Sequence, residues 1–102
     1  MAQRNKQWTV YLLLLANGHY YTGITTDVDK RMTAHHNGKG SKYVRAHSPF
    51  KLVFQGFAGN NRSWAQKMEA KVKKLSHNDK KELAVFYEYL KGIADGKYEN
   101  SV

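Results

Sequence analysis

The chain has 102 residues, of which 41% are hydrophobic and 13% aromatic, enough apolar material for one compact core and too little for two. Seventeen lysines and arginines stand against eight acidic residues, and the net charge of +9 at pH 7 favours an anionic partner such as nucleic acid. The absence of cysteine excludes a disulfide framework, a cysteine nucleophile and thiolate zinc sites.

No stretch of the sequence suits a lipid bilayer. The longest apolar run, residues 10–16, is far shorter than the roughly 18 residues that a membrane-spanning helix needs, and the first seven residues are mostly polar. We therefore expect a cytoplasmic protein with one domain over residues 1–102. Its core should cover about residues 8–90, and the tail over residues 92–102 carries no clear structural signal.

Two strands open the chain. Trp8–Leu15 and Tyr20–Thr25 are rich in β-branched, aromatic and leucine side chains, and Asn17-Gly18 between them signals a turn. The pattern predicts a β-hairpin. Because the apolar run of the first strand is nearly continuous, it indicates a central strand that is covered on both faces.

The length of the hairpin loop decides whether Tyr11 and Tyr21 share a face. A two-residue turn would pair Leu14 with Tyr21 and leave the two tyrosines on opposite faces. A three-residue loop that ends at Gly18, with Gly18 in the left-handed conformation, would pair Leu13 with Tyr21 and place Tyr11 diagonally on the same face. A site that uses both tyrosines requires the three-residue loop.

A helix and a third strand follow the hairpin. The helix is predicted over Val28–Asn37, with Thr26 and Asp29 as a variant of the capping box. Residues 38–45 then have the composition of a flexible basic loop. A strand over Lys51–Phe57 is expected to join the hairpin in one sheet.

Two further helices complete the predicted fold. Ser63 forms a capping box with the glutamine three residues later, ahead of a helix over Trp64–Leu75. The last helix is predicted from about Asp79, with Asn78 as its cap and Gly92 as its stop. The order ββαβαα predicts an α+β fold with a small three-stranded sheet, mixed or antiparallel, flanked by about three helices.

Five positions along these elements share the order and spacing of a known motif: Thr9-Val10-Tyr11, Tyr21-Thr22-Gly23, Arg31, His35 and Glu69. The pattern resembles the GIY-YIG nuclease family over about residues 8–90, and it is most similar to the small stand-alone bacterial members. Both motif tyrosines and Gly23 are kept, whereas Thr9-Val10 replaces Gly-Ile and Thr22 replaces Ile. The asparagine that some members use late in the chain has no assigned counterpart here.

The resemblance implies a metal-dependent endonuclease that hydrolyses phosphodiester bonds in DNA. In such a mechanism Tyr11 activates the attacking water, and Tyr21 orients the water or the phosphate. Arg31 offsets charge on the phosphoryl oxygens, and His35 orients a tyrosine or contacts phosphate. Glu69 holds Mg²⁺ or Mn²⁺. The expected substrate is duplex, branched or single-stranded DNA, with RNA as a further alternative, cut with structural guidance or weak sequence preference, as in repair or recombination.

Without the resemblance, the same side chains have simpler interpretations. Arg31 and His35 lie four residues apart, a spacing that also suits a solvated stripe on a helix. Glu69 can pair with Lys73 at the same spacing, and strand tyrosines usually pack against helices. A single carboxylate is nevertheless sufficient for Mg²⁺, which keeps much of its hydration shell.

Four residues of the basic loop are candidate nucleic-acid contacts: Lys39, Lys42, Tyr43 and Arg45. The cations would bind phosphates, and the tyrosine would stack on an unpaired base. Two other functions stay open. The first is an inactive nucleic-acid-binding module of the same fold, and the second is an interaction protein that uses the aromatic face of the last helix, around Phe86 and Tyr89.

Overall fold

The computed structural model describes residues 6–96. In chain order the elements are β1 (Thr9–Leu15), β2 (Tyr20–Thr25), α1 (Val28–His36), α2 (Lys42–Ala46), β3 (Phe50–Phe57), α3 (Arg62–Lys73) and α4 (His77–Ala94). The predicted α+β class is confirmed, with three strands and flanking helices. The order ββααβαα contains one short helix, α2, that the sequence did not predict.

The sheet has the order β2-β1-β3, and both neighbours run antiparallel to β1. β1 is therefore the central strand, and its alternate side chains enter two different cores, as predicted. Val10 packs with Ala65 of α3 on one face. Tyr11 and Leu13 pack with Val44 of α2 on the other face. The helices thus cover both faces of β1.

The hairpin has the three-residue loop. Leu13 pairs with Tyr21, and the backbone N–H of Leu15 donates to the carbonyl of His19 at 2.9 Å. Gly18 has a φ of 85°, a left-handed conformation that glycine adopts without a steric penalty. This register excludes the two-residue turn.

The caps of the first long helices differ from the predicted ones. Asp27, and not Thr26, caps α1, because its carboxylate accepts a backbone N–H of the first turn at 3.0 Å. Asn61, and not Ser63, caps α3 in the same way at 2.9 Å. Several side-chain oxygens precede each helix, and only the path of the backbone decides which of them reaches the free N–H groups.

The last helix is longer than predicted at both ends. Ser76 caps it in place of Asn78 and accepts the backbone N–H of Asp79 at 3.0 Å. Gly92 does not stop the helix but is buried within it, and α4 continues to Ala94. A helical glycine costs about 1 kcal/mol relative to alanine, a cost that tertiary packing outweighs here. Residues 97–102 of the predicted tail lie outside the described residues.

The segment predicted as a flexible loop is partly helical, so that prediction is wrong for α2. Ser41 caps this helix, and its single buried side chain, Val44, is fully enclosed in the core beside β1. A helix of five residues with one buried side chain is too short to show a helical period in the sequence. None of the four helices between residues 6 and 96 combines the length and the apolar character needed to cross a membrane.

Candidate active site

A polar cleft of about 390 Å³ opens between β2, α1 and α3. Four of the five residues predicted as catalytic or metal-binding line it: Tyr11, Tyr21, Arg31 and Glu69. They come from β1, β2, α1 and α3 respectively. Since a water molecule occupies about 30 Å³ in the liquid, the cleft has room for a phosphate group and several waters.

The hairpin register places the two tyrosines on one face. Tyr11 pairs with Gly23, and Tyr21 lies two residues before Gly23 on the same strand, so it is the diagonal neighbour of Tyr11. The Tyr11 ring lies directly over Gly23, where an added Cβ would come within 3.0 Å of two ring carbons and the hydroxyl oxygen of Tyr11. Glycine at this position is therefore needed to let Tyr11 reach the cleft.

His35 lies behind Tyr11 and does not line the cleft. Its ring is 2% exposed, and its Nε2 is 2.9 Å from the Tyr11 hydroxyl oxygen. The rings of Tyr21 and Phe50 lie edge-on to it, with centroids 5.8 Å away in each case. Gly40 closes the remaining side, because a Cβ there would overlap the imidazole. This enclosure holds the ring in one orientation against Tyr11.

The imidazole of His35 is neutral at neutral pH. Burial lowers the pKa of His35 below its ordinary 6.5, and the nearby Arg31 and His36 lower it further. The neutral ring carries one N–H, and its Nδ1 is buried without a hydrogen-bond partner. Because an unpaired buried N–H is rarer than an unpaired buried acceptor, we assign the proton to Nε2. His35 then donates to the oxygen of Tyr11.

The phenol of Tyr11 is fully buried within the protein. Burial raises the pKa of Tyr11 above its ordinary 10.0. Arg31 opposes this rise through a hydrogen bond and through its charge, whereas the nearby Tyr21 and Glu69 add to it. The phenol is consequently protonated at neutral pH unless further positive charge approaches it.

Glu69 offers the cleft an oxygen ligand. Its side chain is 23% exposed, and its Oε2 lies 3.7 Å from Nζ of Lys73, a side chain that is 59% exposed. So long and solvated an ion pair is weak, and it leaves the carboxylate available to a cation. Among residues 6–96 no cluster of three or more histidine or acidic side chains could hold a metal. A divalent cation here would depend on Glu69 with water and phosphate oxygens, an arrangement that suits Mg²⁺.

Two polar residues of α3 that line the cleft were not predicted as site residues. Arg62 and Gln66 line it beside Glu69, and they precede Glu69 by seven and three residues on α3. These spacings place all three on one helix face, a signal that the sequence contained. The guanidinium of Arg62 lies 6.0 Å from the ring centroid of Trp8, whose side chain also lines the cleft.

None of the four predicted nucleic-acid contacts lines the cleft; they are Lys39, Lys42, Tyr43 and Arg45. The Tyr43 hydroxyl lies 3.3 Å from Nδ2 of Asn17 and 3.0 Å from Nδ1 of His19, at the loop of the hairpin. Since a strand rises about 3.3 Å per residue, the four residues from Tyr11 to the end of β1 span roughly 13 Å. Tyr43 therefore lies at the loop end of the hairpin, outside the cleft.

Three asparagines in the second half of the chain also lie away from the cleft. Asn60 and Asn61 border a separate groove, and Asn78 lies at the start of α4. Asn61 already uses its side-chain oxygen as the cap of α3. None of the three lines the cleft.

Comparison with known proteins agrees with this geometry. The family model described as the GIY-YIG catalytic domain matches residues 7–82. A UPF0213 protein from Photorhabdus laumondii is 43% identical over 96 residues, covering 89% of this chain and 91% of the relative. A UPF0213 protein from Pectobacterium carotovorum is 47% identical over 77 residues, covering 76% of this chain and 77% of the relative.

A solved structure supports the same assignment. The solution NMR structure of protein EF2693 from E. faecalis is 30% identical and matches with a TM-score of 0.51, covering 99% of this chain and 100% of that one. The sequence match, the relatives and the fold agree with the motif residues that meet in the cleft. The chain belongs to the GIY-YIG catalytic domain family, among the small bacterial UPF0213 proteins.

Proposed function

We propose that the protein is a metal-dependent endonuclease that hydrolyses phosphodiester bonds in DNA. The observation that carries the proposal is the meeting of Tyr11, Tyr21, Arg31 and Glu69, from four different elements, in one polar cleft. A phenol, a guanidinium and a carboxylate can serve as base, charge partner and metal ligand in phosphodiester hydrolysis. The net charge of +9 attracts the polyanionic substrate.

Tyr11 is the proposed general base. The oxygen of the attacking water forms the new bond to phosphorus, its proton passes to the Tyr11 phenolate, and the bond from phosphorus to the leaving sugar oxygen breaks. Nε2 of His35 lies at hydrogen-bond distance from the Tyr11 oxygen, and the nearby Arg31 lowers the pKa of Tyr11, so both favour its charged form. His35 is therefore a positioning residue, because it does not line the cleft, whereas Tyr11 does.

Glu69 is the proposed metal ligand. A bound Mg²⁺ or Mn²⁺ would supply positive charge that stabilises the leaving oxygen and lowers the pKa of the phenol nearby. Arg31 and Arg62 face the same cleft and offset the charge of the non-bridging phosphoryl oxygens. Tyr21 orients the phosphate or the water through its hydroxyl.

The test is a cleavage assay with Mg²⁺ or with EDTA, on supercoiled, linear duplex, single-stranded and branched DNA. We expect Glu69→Gln to lower the rate by on the order of 100-fold or more, and EDTA to abolish cleavage. The matched control is Glu88→Gln, which removes the same charge from the exposed side of α4 and should leave the rate unchanged.

Each component of the proposal can fail separately in this assay. Cleavage that survives Glu69→Gln would refute the metal assignment. Binding of DNA that weakens with salt, without cleavage of any substrate, would favour an inactive nucleic-acid-binding module. A sharp sequence consensus among the cut sites would contradict cleavage guided by DNA structure.

A further inference from the structure

A second groove lies on another side of α3 from the cleft. Two exposed aromatic residues border it. Phe57 is 63% exposed and Trp64 is 58% exposed, and they line a groove of about 400 Å³ together with Asn60 and Asn61. Both side chains are more than half exposed, so neither gains the full free energy of burial in the free protein. An aromatic pair of this kind, next to a polar cleft, has the chemistry of a ligand site.

The groove and the cleft share a wall. The Trp8 side chain lines the cleft, while its backbone N–H donates to the carbonyl of Gly59 and its carbonyl accepts from Ala58, both at 2.8 Å. Ala58 and Gly59 line the groove. On α3, Arg62 faces the cleft, and Trp64 follows two residues later. The groove therefore adjoins the cleft across this pair of backbone hydrogen bonds.

The charges beside the groove suit a nucleic acid. Nζ of Lys67 lies 5.2 Å from the centroid of the Trp64 ring, and Arg62 lies in the same turn of α3. None of the side chains that line the groove is acidic. Aromatic rings next to cations are the usual means by which proteins bind single-stranded nucleic acid, because every base has a flat face to stack. Asn60 and Asn61 add amides that can bond to base edges.

We infer that this groove binds an unpaired nucleobase of the strand whose phosphate occupies the cleft. Trp64 and Phe57 form the stacking surfaces, and Lys67 binds the adjoining phosphate. The inference rests on the proposed nuclease function and specifies its substrate as a nucleic acid with an unpaired nucleotide beside the scissile phosphate. A fully paired duplex must first unstack a base, which disfavours its binding in this groove.

The inference is tested by binding in EDTA, which separates binding from cleavage. Wild-type protein and the variants Trp64→Ala and Phe86→Ala are titrated with three labelled probes, and fluorescence anisotropy is recorded. The probes are an oligothymidylate of about 12 nucleotides, an abasic oligomer of equal length, and a blunt duplex. Phe86 is the matched control, because it is an aromatic residue of equal exposure, 57%, on α4.

We expect Trp64→Ala to weaken binding of the oligothymidylate about fivefold to a hundredfold, the range that stacking of one base produces. Binding of the abasic oligomer and of the duplex should not change, and Phe86→Ala should bind all probes as the wild type does. Unchanged binding of the oligothymidylate by Trp64→Ala would overturn the inference, and so would equal weakening with all three probes. Light scattering that shows a dimer disrupted by Trp64→Ala would assign the groove to a second copy of the chain.

Two further measurements apply even if Trp64→Ala does not fold, as judged by circular dichroism. Phe57→Ala removes the other stacking surface and should selectively weaken binding of the oligothymidylate. The chain has two tryptophans, so Trp8→Phe leaves Trp64 as the only tryptophan, whose emission is excited selectively over that of tyrosine. The oligothymidylate should quench its fluorescence, and the abasic oligomer should not. Equal quenching by both would exclude stacking.

Failure of the inference can be told from failure of the proposed function. A wild-type protein that stacks a base on Trp64 but never cleaves would contradict the proposed nuclease function and support base binding in the groove. If the wild-type protein cleaves DNA and Trp64→Ala binds the oligothymidylate normally, base binding in the groove is contradicted and the proposed nuclease function is supported.

Discussion

Gly23→Ala tests whether the position of Tyr11 is what the cleft requires. The new Cβ would come within 3.0 Å of three atoms of the Tyr11 side chain, including a distance of 2.9 Å to Cε2, whereas ordinary contacts of a Cβ begin near 3.4 Å. The ring cannot give way easily, because Tyr11 is fully buried and its hydroxyl is bonded to His35. The tyrosine or the strand must therefore move by roughly 1 Å.

The expected effect on cleavage is larger than the effect on stability. Forcing extra volume into a packed site costs about 1–3 kcal/mol, and about 4–8 °C of Tm for each kcal/mol in a domain of this size. Displacing a catalytic group by about 1 Å lowers the rate roughly 100-fold. Cleavage rates at saturating and limiting DNA should show the loss in kcat, with KM nearly unchanged, and a thermal melt should show a folded protein.

Gly56→Ala is the control, since it adds the same methyl group to the neighbouring strand β3. There the new Cβ would meet only the end of the Phe54 ring, at 3.1 Å, and Tyr11 would not be disturbed. We expect a small loss of stability and normal cleavage. Full activity and an unchanged Tm in Gly23→Ala would refute the argument that close packing on Gly23 positions the base.

Four other outcomes follow from the site. Tyr11→Phe should lower kcat by about 10²- to 10⁴-fold with little change in KM; wild-type kcat would exclude Tyr11 as the base. Gly40→Ala should reduce kcat without altering the cleft lining, because its Cβ overlaps His35; unchanged cleavage would show that His35 does not position Tyr11. Because the pKa of His35 is lowered in the folded protein, the unfolded chain binds a proton at His35 more readily than the folded chain does. The contribution of His35 to the free energy of unfolding is therefore fully present above about pH 6.5. It is lost as the pH falls from there toward the folded-state pKa. The Tm from thermal melts should therefore fall with pH in this window, and His35→Gln should weaken that fall. An equal fall of Tm in both proteins would contradict the role of His35. If Lys42 binds phosphate, Lys42→Ala should reduce the slope of log K against log salt by about 1, and an unchanged slope would leave the basic segment without that role.

Local patterns in the sequence were sufficient for most of the fold. The strands, the central place of β1 and the helix faces follow from side-chain periods that any segment shows on its own. The length of the hairpin loop also followed from the sequence. Tyr11 and Tyr21 can lie on the same face only if a three-residue loop ends at Gly18. The structure has this loop, with Gly18 at a φ of 85°.

The short helix and the caps depended on the tertiary structure. α2 is held by Val44 in the core, a long-range contact that no local pattern reveals. Asp27 and Asn61 became caps because the backbone brought their oxygens to the free N–H groups. Gly92, a stop signal in isolation, continues α4 within packed surroundings.

For the candidate site, too, some features follow from the sequence and others only from the tertiary structure. The motif identified Tyr11, Arg31 and Glu69, since their order along the chain is a property of the sequence. The burial of His35 and its contact with Tyr11 arise between residues 24 positions apart, and so do the pKa changes that burial causes. Close approach at Gly23 is likewise visible only once the strands pair. The sequence alone determined which functional groups are available, and the tertiary structure decided their environment, because burial and proximity depend on segments distant in the chain.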